Sequence, residues 1–93
     1  MKYELLEGFH TVLPAEAEVF TPERLYELEI GDFVKVGVKC ANGRTERFWA
    51  RITQLVPTIK ASVNQDLYLT PLHGLKDESP LELEPKHIVA YMR

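Results

Sequence analysis

Four side chains in this sequence have the chemistry of a catalytic or metal centre: Cys40, His10, His73 and His87. A nucleophile needs a base within hydrogen-bond reach. The local patterns that announce one, G-x-S-x-G and C-G-x-C-W, are absent, as is the H-E-x-x-H of zinc peptidases. The three histidines and one cysteine form no close ligand pair, whereas a closed zinc site needs four donors. Cys40 ends the alternating run Val34, Val36, Val38, Cys40, so it reads as a small buried hydrophobe. The histidines are expected in loops or at strand ends, bonded to water or backbone. A His73 or His87 beside Cys40 at the mouth of a pocket would revive a small enzyme; otherwise the protein reads as non-enzymatic. Gly31, Gly37, Gly43 and Gly74 are too scattered to cradle a phosphate. The pairs Glu16/Glu18 and Glu82/Glu84 read as solvated edges, because calcium needs a denser oxygen cluster. No cofactor, metal or small-molecule ligand is expected.

One stretch offers recognition chemistry instead. In Glu46-Arg47-Phe48-Trp49-Ala50-Arg51-Ile52, the residues Phe48, Ala50 and Ile52 alternate with Arg47, Trp49 and Arg51. That is a strand with one apolar face, and its other face carries the only tryptophan of the chain between two arginines. Tryptophan and arginine dominate interface hot spots.

The element that positions this face is a hairpin. From Asp32 the period is two, with Val34, Val36, Val38 and Cys40 on one side and Phe33, Lys35, Gly37 and Lys39 on the other. A turn at Asn42-Gly43 follows. A two-residue turn would put the two apolar faces out of phase. A three-residue loop, Ala41-Asn42-Gly43, sets Val36 opposite Phe48 and Val34 opposite Ala50, with Gly43 in the left-handed conformation such loops require. The outer face then places Trp49 opposite Lys35, Arg51 opposite Phe33 and Arg47 opposite Gly37, a gap the indole would cover diagonally. Glu46 falls opposite Val38, close enough to the hairpin tip to reach water.

Elsewhere the pattern is of short elements. Residues 2–6 and 10–13 read as short strands, and Thr21-Pro22-Glu23 as the start of a two-turn helix at 22–28 capped by Thr21. Ile59, Ala61 and Val63 alternate, Asn64-Gln65-Asp66 is a turn, and 67–70 reads as a strand with Leu67 and Leu69 on one face. Residues 71–80 form a loop, Leu81 and Leu83 mark a strand, Pro85-Lys86-His87 a turn or single 3₁₀ turn, and 88–92 a final strand. Five or six short strands with one short helix predict a mainly β fold, a small SH3-like, partly closed antiparallel barrel. The 93 residues make a single domain, with a less regular N-terminal segment over 1–31 and the barrel over 32–92.

Bulk properties narrow the setting. With a single cysteine no internal disulfide forms, and nothing resembles a signal peptide or membrane span, so a cytoplasmic location is expected. The net charge of −3 gives the whole protein no claim on nucleic acid or membrane. Its distribution says more. Residues 33–63 hold six basic side chains against Glu46 alone, a balance of +5 that leaves −8 for the rest.

Gly31-Asp32-Phe33-Val34-Lys35-Val36, the strand from Glu46 to Ile52, Leu67 with Leu69, His73-Gly74-Leu75-Lys76, and Leu81-Glu82-Leu83-Glu84-Pro85-Lys86-His87-Ile88 together resemble a bacterial domain family of unknown function. Its hallmarks are an E-R-[FM]-W-V-x-[VI] strand, a G-L-x-x-G-D segment and a strand ending in H-I. The likeness spans about residues 31–92. It implies a fold and no chemistry. The sequence departs from it at Asp77-Glu78-Ser79-Pro80, where the Gly-Asp turn is missing.

Phe33, Lys35, Arg47, Trp49 and Arg51 are therefore the candidate binding residues. Three readings compete. In the first, the acidic N-terminal segment folds over them, with Leu13, Val19, Phe20 and Leu25 covering Trp49 and glutamates meeting the arginines. In the second, the face binds a protein partner or a second copy of the chain as a homodimer. In the third, it holds single-stranded nucleic acid, as basic sheets with exposed aromatics do.

Overall fold

The computed structural model describes residues 2–93. Seven strands form one antiparallel sheet: β1 (Tyr3–Leu5), β2 (Glu18–Val19), β3 (Phe33–Cys40), β4 (Thr45–Gln54), β5 (Ile59–Val63), β6 (Pro80–Leu83) and β7 (Ala90–Met92). The order is β2-β7-β3-β4-β5-β6, with β1 also on β3. The mainly β, partly closed architecture expected from the alternation is what the chain adopts, with more strands than the five or six anticipated.

The hairpin register is the one that keeps the apolar faces in phase. Val34 pairs with Ala50, Val36 with Phe48 and Val38 with Glu46. The Cys40 amide donates to the Arg44 carbonyl at 2.7 Å, closing the Ala41-Asn42-Gly43 loop with Gly43 at φ +88°. Val34, Val36, Val38, Phe48 and Ala50 are fully buried. With Ile52, Ile59, Ala61, Val63, Leu81 and Leu83 they fill the concave side of the sheet.

The other edge of β3 is divided. β7 pairs with its first half (Phe33↔Met92, Lys35↔Ala90) and β1 with its second (Leu5↔Val38, Tyr3↔Cys40). Between them the Leu6 amide donates to the Gly37 carbonyl at 2.9 Å. No ladder joins β1 to β6 among the described residues. Tyr3, Leu5, Thr58, Glu82, Leu83, Glu84 and His87 line a groove of about 440 Å³ where the barrel stays open.

Several short elements differ from the sequence expectation. The helix expected at 22–28 is a 3₁₀ helix over Pro22–Glu27, and Thr21 makes no side-chain cap bond. A short helical turn, α1 (Thr70–His73), stands where a strand end and loop were expected, while the single 3₁₀ turn anticipated at Pro85-Lys86-His87 forms over Pro85–His87. Residues 67–69 are not a strand, and no strand forms at 10–13. Proline at the head of α1 and glycine behind it (Gly74, φ +81°) favour a helical turn over an extended run there. Phe20 is buried, edge-on to Tyr91 with ring centroids 6.0 Å apart.

Glu78 has φ +68°. Glycine adopts that left-handed conformation freely, whereas a residue with a β-carbon does not. The Glu78 amide donates to the Val63 carbonyl at 2.7 Å, and Val63 donates to the Ser79 carbonyl at 2.9 Å, holding that shape. A β-carbon in this region costs about 1–2 kcal/mol, of which glycine returns ~0.5–1 kcal/mol as chain entropy. Glu78→Gly is therefore expected to stabilise the protein by about 0.5–1 kcal/mol in urea unfolding; a loss of stability would refute the strain.

Candidate functional site

The five candidate residues share the convex face of β3 and β4. Phe33 lies opposite Arg51, Lys35 opposite Trp49 and Gly37 opposite Arg47. The Lys35 ammonium sits 5.2 Å from the centre of the indole. Burial lowers the affinity of that ammonium for its proton, and the nearby Arg47 lowers it further. Phe33, Lys35 and Trp49 are half-buried, while Arg47 and Arg51 are exposed. The backbone beneath is pinned on both sides. The Trp49 amide donates to the Gln65 side-chain oxygen at 2.8 Å, its carbonyl accepts from Asn64 at 2.9 Å, and the Lys35 carbonyl accepts from Val89 at 3.2 Å.

Leu6 and Phe9 fill the gap left at Gly37, where the indole was expected: a β-carbon added there would stand 3.0 Å from Leu6 Cδ1 and 3.1 Å from Phe9 Cε1. The Arg47 guanidinium then lies over the Phe9 ring, 5.7 Å from its centre. Phe9 is the site residue that the sequence did not disclose. Its only signal was the empty place at Gly37, which says that something packs there and not what.

Three of the four residues expected as a lid over Trp49 lie elsewhere. Phe20 belongs to the core, Val19 is 62% exposed beside β7, and Leu25 borders a groove with Leu55, Val56, Pro57 and Pro85. Nor do glutamates meet the cations. The ion pairs among the described residues engage Arg24, His73 and Lys86, and none involves Lys35, Arg47 or Arg51.

The titratable residues have a different arrangement from the one expected. Glu46, anticipated near the hairpin tip and in reach of water, is buried. It accepts the amides of Tyr68 at 2.6 Å and Leu69 at 2.9 Å, and meets His73 Nε2 at 2.9 Å. His73 Nδ1 accepts the Leu75 amide at 3.0 Å, which leaves the ring proton on Nε2, donated to the carboxylate. Burial pushes the Glu46 carboxyl up, but the bonds from His73, Tyr68 and Leu69 together outweigh it and hold it below the usual range. His87 sits in the expected turn and bonds to backbone as anticipated, its Nδ1 accepting the Glu84 amide at 3.0 Å, but it is buried. Burial lowers its proton affinity, Glu84 and Glu7 opposing and Lys86 reinforcing the shift.

Cys40 is buried and borders a cleft with Lys2, Tyr3, Glu4, Lys39 and Ala41. No histidine lines that cleft, so the pairing that would have revived an enzyme reading is not formed there. Both nitrogens of His73 are engaged internally, and the Glu46–His73 pair acts as a clamp that fastens residues 67–75 to β4. No group of three or more His, Cys, Asp or Glu suited to a metal lies together among the described residues. No helix among them is long and apolar enough to cross a membrane.

No family model, curated protein or solved structure matches this chain. Function rests on geometry alone.

Glu46→Ala would strand two amide donors and the His73 Nε2 proton, each costing about 1–3 kcal/mol when buried. A loss of about 2–5 kcal/mol in urea unfolding is expected. The folded carboxyl has a lower pKa than the unfolded one, so its stabilisation is complete above the ordinary value of about 4.3 and drains away as pH falls through the folded value. The wild-type advantage over Glu46→Ala should accordingly shrink in acid, and an advantage independent of pH from about 7 to about 2 would contradict the clamp.

Proposed function

We propose that this SH3-like, partly closed barrel is a non-enzymatic interaction module of the cytoplasm, and that its partner is an anionic molecule held on the Phe33–Arg51 face. One observation carries the reading: Lys35, Arg47 and Arg51 project from one face, the first two over aromatic rings, with no carboxylate in ion-pair range among the described residues. The rest of the protein is acidic, yet no glutamate is spent on these three cations. Half-buried Lys35 has lost proton affinity, which a bound negative charge would return.

A homodimer formed symmetrically through this face is the weaker alternative. An isologous interface apposes a patch with its own copy, which would set the three cations against three more, and like charges across an interface cost several kcal/mol. An anionic partner meets no such barrier.

Poly-glutamate is a probe of the charge complementarity alone. It is expected to perturb Trp49 emission in about 50 mM salt, to be released by about 500 mM salt, and to fail with the double variant Arg47→Glu/Arg51→Glu. The wild-type chain is expected to sediment as a monomer in the same low-salt buffer. A low-salt dimer that Trp49→Leu abolishes, with no response to the polyanion, would replace the anionic partner by a second copy.

A further inference from the structure

The proposed face has a period. Its cations and rings succeed one another in three steps along the β3–β4 ladder at every second residue; two steps are cation–ring contacts and the third is a register pair. Phe33 stands opposite Arg51, Lys35 lies against Trp49, and Arg47 lies over Phe9, which occupies the place vacated at Gly37. Two residues of antiparallel strand advance about 6.8 Å, so the three pairs form a row with a pitch of about 7 Å. Phe33 of β3 and Trp49 of β4 each face a cation on the opposite strand and Phe9 fills the next place, so every step holds one aromatic ring and one positive charge.

The ligand that uses both halves of each step is a polymer with one flat ring and one negative charge per unit. We infer that this face binds single-stranded nucleic acid over three consecutive nucleotides, one base against each of Phe33, Trp49 and Phe9 and one phosphate near each of Arg51, Lys35 and Arg47. The inference rests on the anionic-partner reading and names its chemistry. A duplex does not fit the row, because its bases are stacked at about 3.4 Å per step, half the pitch, with their faces hidden. An extended acidic peptide repeats its side chains at a matching interval, but its carboxylates would leave all three rings unused.

The arrangement also predicts what the face cannot do. The amides and carbonyls of β3 and β4 are committed to the ladder and to Gln65, Asn64 and Val89. Recognition therefore proceeds by stacking and charge, which tolerate any base. The acidic remainder of the chain limits affinity without abolishing it, because the charges that touch the strand are local and a Debye length at physiological salt is about 8 Å.

The test is fluorescence anisotropy of fluorescein-labelled oligothymidylates with the full chain, at salt concentrations from about 50 to about 300 mM. Affinity is expected to rise steeply from dT1 to dT4, whose linkages supply three phosphates, and only statistically from dT4 to dT6. The logarithm of the binding constant should fall with that of the salt concentration with a slope near about −2, since each phosphate contact contributes roughly −0.7 on a single strand. Arg51→Gln should flatten the slope by about 0.7, and Trp49→Leu should weaken dT6 about tenfold or more while leaving the circular dichroism unchanged. Should Trp49→Leu unfold the chain, Phe33→Leu and the Arg51→Gln slope decide the same question. A blunt duplex bound as tightly as dT6, or dT6 binding indifferent to Phe33→Leu and Arg51→Gln, would overturn the inference. Poly-glutamate bound where dT6 is not would sink the nucleic-acid assignment and keep the anionic face; neither bound would sink both.

Discussion

Parity in the β3–β4 ladder governs everything else in this molecule. A strand presents alternate residues to opposite faces, so the loop at the hairpin tip decides which face each side chain joins. With three residues in the loop, and Gly43 in the one backbone conformation that permits it, the valines of β3 and the phenylalanine and alanine of β4 meet in the core. The same step sends Lys35, Arg47, Trp49 and Arg51 outward together. One residue fewer would bury guanidinium groups and expose valines. Core and cation-bearing outer face are two sides of a single geometric choice.

The second constraint is long-range. The chain between β5 and β6 has little secondary structure of its own, and its backbone donors need acceptors. Glu46 provides them from β4, taking two amides and the His73 proton at once. Because Glu46 precedes Arg47 on the same strand, this carboxylate is turned inward while its neighbour points outward. The only acid in the basic middle of the sequence is thereby withdrawn into the interior, and the convex face keeps its uncompensated positive charge.

How much of this was legible follows the range of each interaction. The hairpin, its register and its outer pairs were readable because alternation and turn chemistry are local signals, and they placed Phe33, Lys35, Arg47, Trp49 and Arg51 on one face. Phe9 was not readable: it reaches that face through the path of a segment with no periodicity, tied down by one bond from Leu6 to Gly37. Glu46 was misread for a related reason. Position in a strand tells where a carboxylate points, but the donors that make its burial tolerable lie 22 to 27 residues further on. The stretch over 67–73 failed on short range, because alternating leucines signal a strand only if a neighbour accepts the pairing, and here Pro71 and Gly74 favoured a turn of helix.

The open seam between β1 and β6 has a consequence for how copies of this protein behave when crowded. Unpaired strand edges are templates on which like molecules zip together into insoluble material. Here the margin carries Glu4, Glu82 and Glu84, all exposed. Two such margins brought side by side would set carboxylate against carboxylate, which discourages the open edge from pairing with a second copy of itself.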